Sequence, residues 1–371
     1  MAIASSLALV APQAAEGAER TSRALDRALD EVMDQPGSPP GLLVLMQRGR
    51  EVEVRRRGVS DVESGAPMRA RQHYRIASVA KAFSGAVALG LASDGKLRLT
   101  DTIGDWIPEL LPRAQEVTVA QALQHTAGLA DYIREDAFVE ELLADPAGYF
   151  SPVELLGFVA DEELGFTPGS RYEYSDTDNV VVGLIAERVS GRSYEELLRK
   201  YVLRPLRLRR TSLPRTVQMP NPFIRGYDLP AGEPPFDTSE VINPAGAWAS
   251  GGIVSTARDI NDFFRAYVSG ELFSRRIGRS QEDFVVGSSQ PPGPGRNRAT
   301  LGLFRYRTRC GTVYGHTGSF PGYRAMGAST ANGKRSIVFT VNSQIVPGQG
   351  SQEVSDLIRM AQEDAVCRLL R

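Results

Sequence analysis

The strand-forming segments of this chain sit near its two ends. GLLVLMQ (41–47) and EVEVRRRG (51–58) flank Arg48-Gly49-Arg50 and read as a hairpin. Further strands are predicted only at 301–306, 312–316, 323–331 and 335–342. Asn332-Gly333 forms a hairpin turn between the last two. Helical spacing marks 19–34, 78–93, 118–125, 152–163, 177–190 (closed by Gly191), 193–203, 257–269 and 352–370. The economical arrangement joins the first hairpin and the last strands in one antiparallel sheet covered by the terminal helices. The expected class is therefore α+β: a sheet lobe from 19–80 and 258–371, a mostly helical lobe from 81–257, and a site in the cleft between them. Residues 288–298 and the proline-rich 214–244 read as loops. No internal repeat is evident.

Composition narrows the function classes. The chain has 371 residues, 42% hydrophobic and 23% charged, with net charge −1. That suits a soluble globular protein and makes no electrostatic case for nucleic acid or an anionic membrane. His73, His125 and His316, with Cys310 and Cys367, lie too far apart for zinc spacing, so neither metal nor cofactor is expected. The opening MAIASSLALVAPQAAEG has an apolar run and small residues near Ala14–Ala15, like the end of a secretory signal. Residues 1–18 are thus read as a signal remnant, with export to the cell envelope or medium. It lacks a Lys/Arg n-region, so an Ala-rich tail on a cytoplasmic protein is the alternative. No other apolar run reaches the roughly 18 residues of a membrane span, and no integral membrane segment is expected.

Only four of the 43 basic residues are lysines, and two of those end a Ser-x-x-Lys: Ser78-Val-Ala-Lys81 and Ser93-Asp-Gly-Lys96. Gly95 would break helical geometry in the second, so Ser93 and Lys96 need not face each other. Ser78 begins an apolar helix, where i and i+3 share a face and free N–H groups are available to a developing anion. Among apolar neighbours Lys81 would lose solvation, which lowers its pKa and lets a neutral amine act as base. Arginine could not take that role. On this stretch alone the blander reading is favoured: Ser78 as a helix N-cap and Lys81 snorkelling to solvent.

Two later stretches bear on the choice. YEYSDTDN (172–179) precedes a helix, and Tyr174 there could relay a proton or merely cap the helix. GHTGS (315–319) falls at the predicted end of a strand, where backbone N–H groups could face a substrate, or where the strand simply turns.

Together, S-x-x-K, Y-S-(N/D) and (K/H)-T-G in this order resemble the penicillin-recognising serine enzymes, most closely class C β-lactamases and soluble D-alanyl-D-alanine carboxypeptidases. VTVAQALQHTAGLADY (117–132), DTDNVVVGLIAERVSG (176–191) and WASGGIVSTARDINDFF (248–264) agree, and the likeness spans about residues 20–370. It implies a β-lactamase/penicillin-binding-protein-like fold. Ser78 would be the acylated nucleophile, Lys81 its base and Tyr174 the proton relay, with His316 in place of the third-motif lysine. Asp176, Thr317 and Gly318 would contact substrate, and the N–H groups of Ser78 and Ser319 would form an oxyanion hole. Cys310 and Cys367 would pair as a disulfide. The reaction would pass through an acyl-enzyme, from a small-molecule or peptide acyl donor to water or an amine, with β-lactams as covalent ligands.

Three departures concern the substrate. Asp176 replaces the usual Asn, an acceptor-only carboxylate for an amide. Phe304 stands where carboxypeptidase relatives carry an arginine for the substrate carboxylate, with Arg305 beside it. Gly246 stands where an aromatic is common, and Trp248 follows two residues later. Three activities are thereby implied: a D-alanyl-D-alanine carboxypeptidase or transpeptidase, an esterase or amide-forming transacylase, and a non-catalytic penicillin-binding sensor. The intact Tyr174 and His316 weigh against the last.

Overall fold

The computed structural model describes residues 10–345 and 352–371. Eight strands make its main sheet: β1 (Gly41–Arg48), β2 (Glu51–Gly58), β3 (Val285–Val286), β4 (Arg296–Thr300), β5 (Leu303–Thr308), β6 (Gly311–Phe320), β7 (Tyr323–Ser329) and β8 (Arg335–Val341). Their order is β2-β1-β8-β7-β6-β5-β4-β3, and each neighbouring pair is antiparallel. The two ends of the chain do meet, with Leu42 paired to Val341 and Arg48 to Arg335. Gly49, at φ +58°, makes the tight turn between β1 and β2 that a residue with a Cβ would resist.

Alternation along β1 sorts its side chains between two cores. Leu42, Val44 and Met46 pack with Leu25, Leu29 and Val32 of α1 (Val10–Met33) and Ile358 and Ala365 of the C-terminal helix α5 (Gln352–Leu370). Leu43 and Leu45 join the other core, which holds α2 (Ala80–Ser93), α3 (Thr177–Ser190) and α4 (Ala257–Ser269). Helix α4 sits close on the sheet because β7 carries Gly327, where a Cβ would fall 2.3 Å from the Phe264 ring. A disulfide ties Cys310, between β5 and β6, to Cys367 of α5. No helix among the described residues is long and apolar enough to cross a membrane.

Several boundaries differ from expectation. The helix predicted at 152–163 stops at Gly157, a poor helix former, although Ser151 and Glu154 cap its start. The strand predicted from 301 begins at Leu303, because Gly302 turns in the left-handed region and donates its N–H to the Leu123 carbonyl. Strand β4 starts inside the segment read as a loop; Arg296 and Arg298 are exposed, so no apolar alternation announces it. Short pairings of His73–Arg75 with Val254–Thr256 also went unpredicted. Strand β6 does not end at GHTGS but runs through it to Phe320, opposite Tyr323. Residues 1–9 of the proposed signal remnant lie outside the described residues, and from Val10 the backbone is helical.

Candidate active site

Ser78 occupies a single 3-10 turn, Ala77–Val79, immediately before α2. Ala77 has φ +52°, a strained conformation for a residue with a Cβ, of the kind kept where surroundings over-determine it. The turn rests on the middle of β6. A Cβ built on Gly318 would lie 2.5 Å from the Ile76 carbonyl oxygen and 2.9 Å from the Ser78 nitrogen. Gly318 therefore meets the Ser78 turn, not open cleft.

Lys81, in the first turn of α2, is fully buried. Its Nζ lies 3.1 Å from Ser78 Oγ, 2.6 Å from Asp176 Oδ1 and 3.1 Å from the Ser250 carbonyl oxygen. The expected apolar surroundings are thus broken by a carboxylate, and Asp176, expected at the substrate, is also the partner of Lys81. A carbonyl and an ionised carboxylate can only accept. Of the three groups around Nζ, only the Ser78 hydroxyl can also donate to it.

The ring of Tyr174 lies 5.0 Å from Lys81 Nζ. Its hydroxyl is buried without a well-formed hydrogen bond. Burial, then the Asp176 charge, push its pKa well above the ordinary phenol value, while the nearby Ser78 hydroxyl works weakly the other way. Tyr174 is a neutral phenol at any ordinary pH. Fully buried His316 hydrogen-bonds the Thr317 carbonyl through Nδ1, and its Nε2 is unpartnered. Burial, followed by the Lys81 charge, lowers its pKa to about 3, so it is neutral too. Asp131 accepts the Asp176 N–H at 2.9 Å; burial and the Asp176 charge raise its pKa to about 7.

Ser78, Tyr174, Asp176 and Ser319 line a cleft of about 460 Å³, with Ile133, Gln290, Pro291, Pro292, Gln344 and Ile345 around them. The structure brings together Ser78, Lys81, Tyr174, Asp176, His316 and Ser319. Besides Gly318, it places three others elsewhere. Thr317 is fully buried and donates its hydroxyl to the Pro291 carbonyl, so that hydroxyl is engaged within the protein. Phe304 does not reach the cleft: it is buried behind His316, edge-on at 5.0 Å, and stacks on Tyr306. Trp248 packs under α3 against Tyr194 and Gly183, a core position set by shape and not by contact with the cleft. Ser93 ends α2 and accepts the Ser274 N–H at 2.8 Å, far from any such grouping. His125, Asp131 and Asp178 went unassigned in the sequence. The signal for Asp178 was a second aspartate in YSDTDN, opening an apolar helix whose first turns are wholly buried; His125 and Asp131 had no such signal. Among the described residues no His, Cys, Asp and Glu group is arranged to hold a metal.

A serine on a strained turn, a buried lysine beside it and a tyrosine over both, set between an antiparallel sheet and a helical region, define a penicillin-recognising serine enzyme. The β-lactamase family model matches residues 25–357, and the chain belongs to that family. Among curated proteins it is 31% identical over 244 residues to esterase EstB of Burkholderia gladioli, covering 57% of this chain and 61% of that protein, less than two thirds of the relative's length. Among solved structures, a D-stereospecific amidohydrolase from Streptomyces sp. superposes with TM-score 0.79 at 27% identity, over 92% of this chain and 98% of the other. The D-amino acid amidase of Ochrobactrum anthropi SV3, bound to L-phenylalanine amide, does so with TM-score 0.78 at 25% identity, over 95% and 97%.

Proposed function

We propose that this chain is a serine hydrolase or acyl transferase that forms an ester on Ser78 and acts on esters or amides whose leaving side bears no free carboxylate. The observation carrying this reading is that the cleft offers such a carboxylate no cation. Among the described residues its lining holds one charged side chain, Asp176, and no lysine or arginine. His316, in the position of the third-motif lysine, is neutral. The one lysine nearby, Lys81, is spent on Asp176. An unpaired carboxylate in such a cleft costs free energy, whereas an ester or amide does not bring one. Likeness to an esterase and to amidases supports the same reading.

In acylation Asp176, 2.6 Å away, takes a proton from the Lys81 ammonium, and the amine so formed accepts the proton of Ser78 Oγ as that oxygen attacks the substrate carbonyl carbon. The N–H groups of Ser78 and Ser319, brought side by side by the Gly318 contact, take the oxyanion. Tyr174, held as a phenol, donates to the leaving group as the carbonyl–leaving-group bond breaks. Water or an amine then attacks the acyl carbon and passes a proton to the Tyr174 oxygen; the acyl–Oγ bond breaks, Lys81 returns a proton to Ser78 Oγ and recovers its own from Asp176, and the acid or new amide leaves. The Cys310–Cys367 disulfide favours work in an oxidising compartment, the cell envelope or medium.

A carboxypeptidase reading has one observation in its favour. Exposed Arg134 reaches Gln290 at the cleft rim, although its Nε also lies 3.4 Å from Asp131. The deciding experiment compares D-Ala-D-Ala peptides ending in a free acid, a methyl ester and an amide, alongside p-nitrophenyl acetate and D-phenylalanine amide, with the acyl-enzyme followed by mass spectrometry. The blocked peptides should match or exceed the free acid in kcat/KM. Ser78→Ala should abolish the acyl adduct while Ser93→Ala keeps it. A tenfold preference for the free acid, about 1.4 kcal/mol, would assign the carboxylate contact to Arg134 and restore the carboxypeptidase.

A further inference from the structure

The Tyr174 hydroxyl has no partner that fixes its direction. The ring must be aimed from its flank. His125 lies against it with ring centroids 4.4 Å apart and planes tilted by 32°. His125 is itself held on several sides. Its Nδ1 is 2.7 Å from Asp178 Oδ2. Tyr172 stands edge-on at 6.0 Å and Phe304 lies nearly parallel at 6.4 Å. Its backbone is left-handed, φ +56°, which a non-glycine residue adopts at a cost.

The backbone repeats the arrangement. The His125 carbonyl accepts the N–H of Glu173, the residue before the tyrosine, at 2.9 Å. The Ala130 carbonyl accepts the hydroxyls of Ser175 and Thr177 at 3.3 and 2.6 Å, and Thr177 Oγ1 accepts the Tyr132 N–H at 3.1 Å. Asp131 holds the Asp176 N–H. Each residue from Glu173 to Asp178 is thus gripped by one in 125–132. Burial lowers the His125 pKa and raises that of Asp178, so the pair adds no net charge beside Lys81 and Asp176.

We propose that His125 and Asp178 are positioning residues, a buried pair that holds the Tyr174 ring so that its hydroxyl stays turned to Ser78 Oγ. The inference rests on the acyl-enzyme reading above. A pair serving only the fold would sit equally well away from the tyrosine; this one is in ring contact with it and hydrogen-bonded to its own segment.

The test is a double-mutant cycle on kcat for p-nitrophenyl acetate hydrolysis. His125→Gln keeps a polar group for Asp178 but removes the ring beside Tyr174, and should lower kcat about tenfold or more, since misplacement near 1 Å can cost about a hundredfold. KM should stay within about twofold. Tyr174→Phe should lose more, and His125→Gln/Tyr174→Phe no more than Tyr174→Phe alone, because residues acting as a unit are non-additive. Asp178→Asn, which still hydrogen-bonds Nδ1, should retain kcat within about threefold. Losses that multiply in the double variant would overturn the proposal. If His125→Gln fails to fold, His125→Phe, which keeps a ring and drops the tether, enters the same cycle with the same criterion. Wild type that hydrolyses no ester and no D-amino acid amide would instead overturn the functional reading, and this inference with it.

Discussion

Replacing Gly318 by alanine perturbs one contact on which the whole site depends. The glycine has ordinary backbone angles, so alanine is conformationally acceptable there, and the cost is steric. The added methyl would meet the Ile76 carbonyl oxygen at 2.5 Å, the Ser78 nitrogen at 2.9 Å and Ala77 Cβ at 3.0 Å. Ordinary contact begins at 3.4 Å, so β6 and the Ser78 turn must part by about 3.4 − 2.5 = 0.9 Å. None of the three atoms ends a flexible side chain that could swing aside. The separation opens between the two N–H groups assigned to the oxyanion. Loss of one such donor costs about 100- to 1,000-fold in kcat, and a 1 Å misplacement about 100-fold. Overpacking should also destabilise by about 1–3 kcal/mol. The expected result is at least a hundredfold fall in kcat/KM for a chromogenic ester, a matching fall in fluorophosphonate labelling of Ser78, and a modest drop in Tm. Gly157→Ala is the control, because its Cβ meets nothing within 4 Å. A Gly318→Ala enzyme within threefold of wild type, with unchanged Tm, would refute both the contact and the oxyanion assignment.

Asp131 predicts a pH dependence of stability. Its folded-state pKa, raised to about 7 from 3.8 by burial and Asp176, means that the folded carboxyl keeps a proton the unfolded chain has released. Stability contributed by that proton is lost as pH rises from about 4 through 7, by up to roughly 4 kcal/mol at 1.36 kcal/mol per unit, an upper bound given Arg134 beside it. Asp131→Asn, which still accepts the Asp176 N–H, should therefore gain Tm over wild type at pH 8 relative to pH 5; a difference constant across that range would contradict the burial argument. The Cys310–Cys367 bond closes a separation of 57 residues, worth about 4 kcal/mol in the chain-entropy model. Cys310→Ser should lower the denaturant midpoint accordingly, and free thiols in protein made under oxidising conditions would sink both the disulfide and the case for export.

The sheet was legible in the sequence because β1, β7 and β8 are covered on both faces and carry the apolar residues that coverage demands. The hairpin glycines mark where their turns fall. Edge strand β4 was not, since arginines on a solvent edge carry no alternation. The same limit governed the site. Ser78, Lys81, Tyr174 and His316 stood out through spacing and residue type. What lies next to a side chain from a distant segment has no local signal, and so Asp176 beside Lys81, 95 positions away, was read as a substrate contact. The place of Phe304 in the family pattern predicts a substrate contact. Its actual surroundings are Tyr306 two residues along β5, His316 on the neighbouring β6 and His125 from a distant segment.

The exchange of Asn for Asp at position 176 then acquires an electrostatic meaning that the sequence could not convey. Beside Lys81 an amide would leave the buried ammonium uncompensated, and the cleft would present a net positive charge to an incoming anion. The carboxylate at 2.6 Å cancels it. Burial first and that same charge second push Asp131, next along, toward neutrality, and burial does the same to Asp178. Neutral His316 adds nothing back. Charges this close and this buried are little screened by salt, so the cancellation holds across ordinary ionic strengths. On the function proposed above, a cleft balanced in this way would discriminate against free carboxylates without needing a repulsive group, and ester and amide substrates would be sorted by shape along Ile133, Pro291 and Ile345.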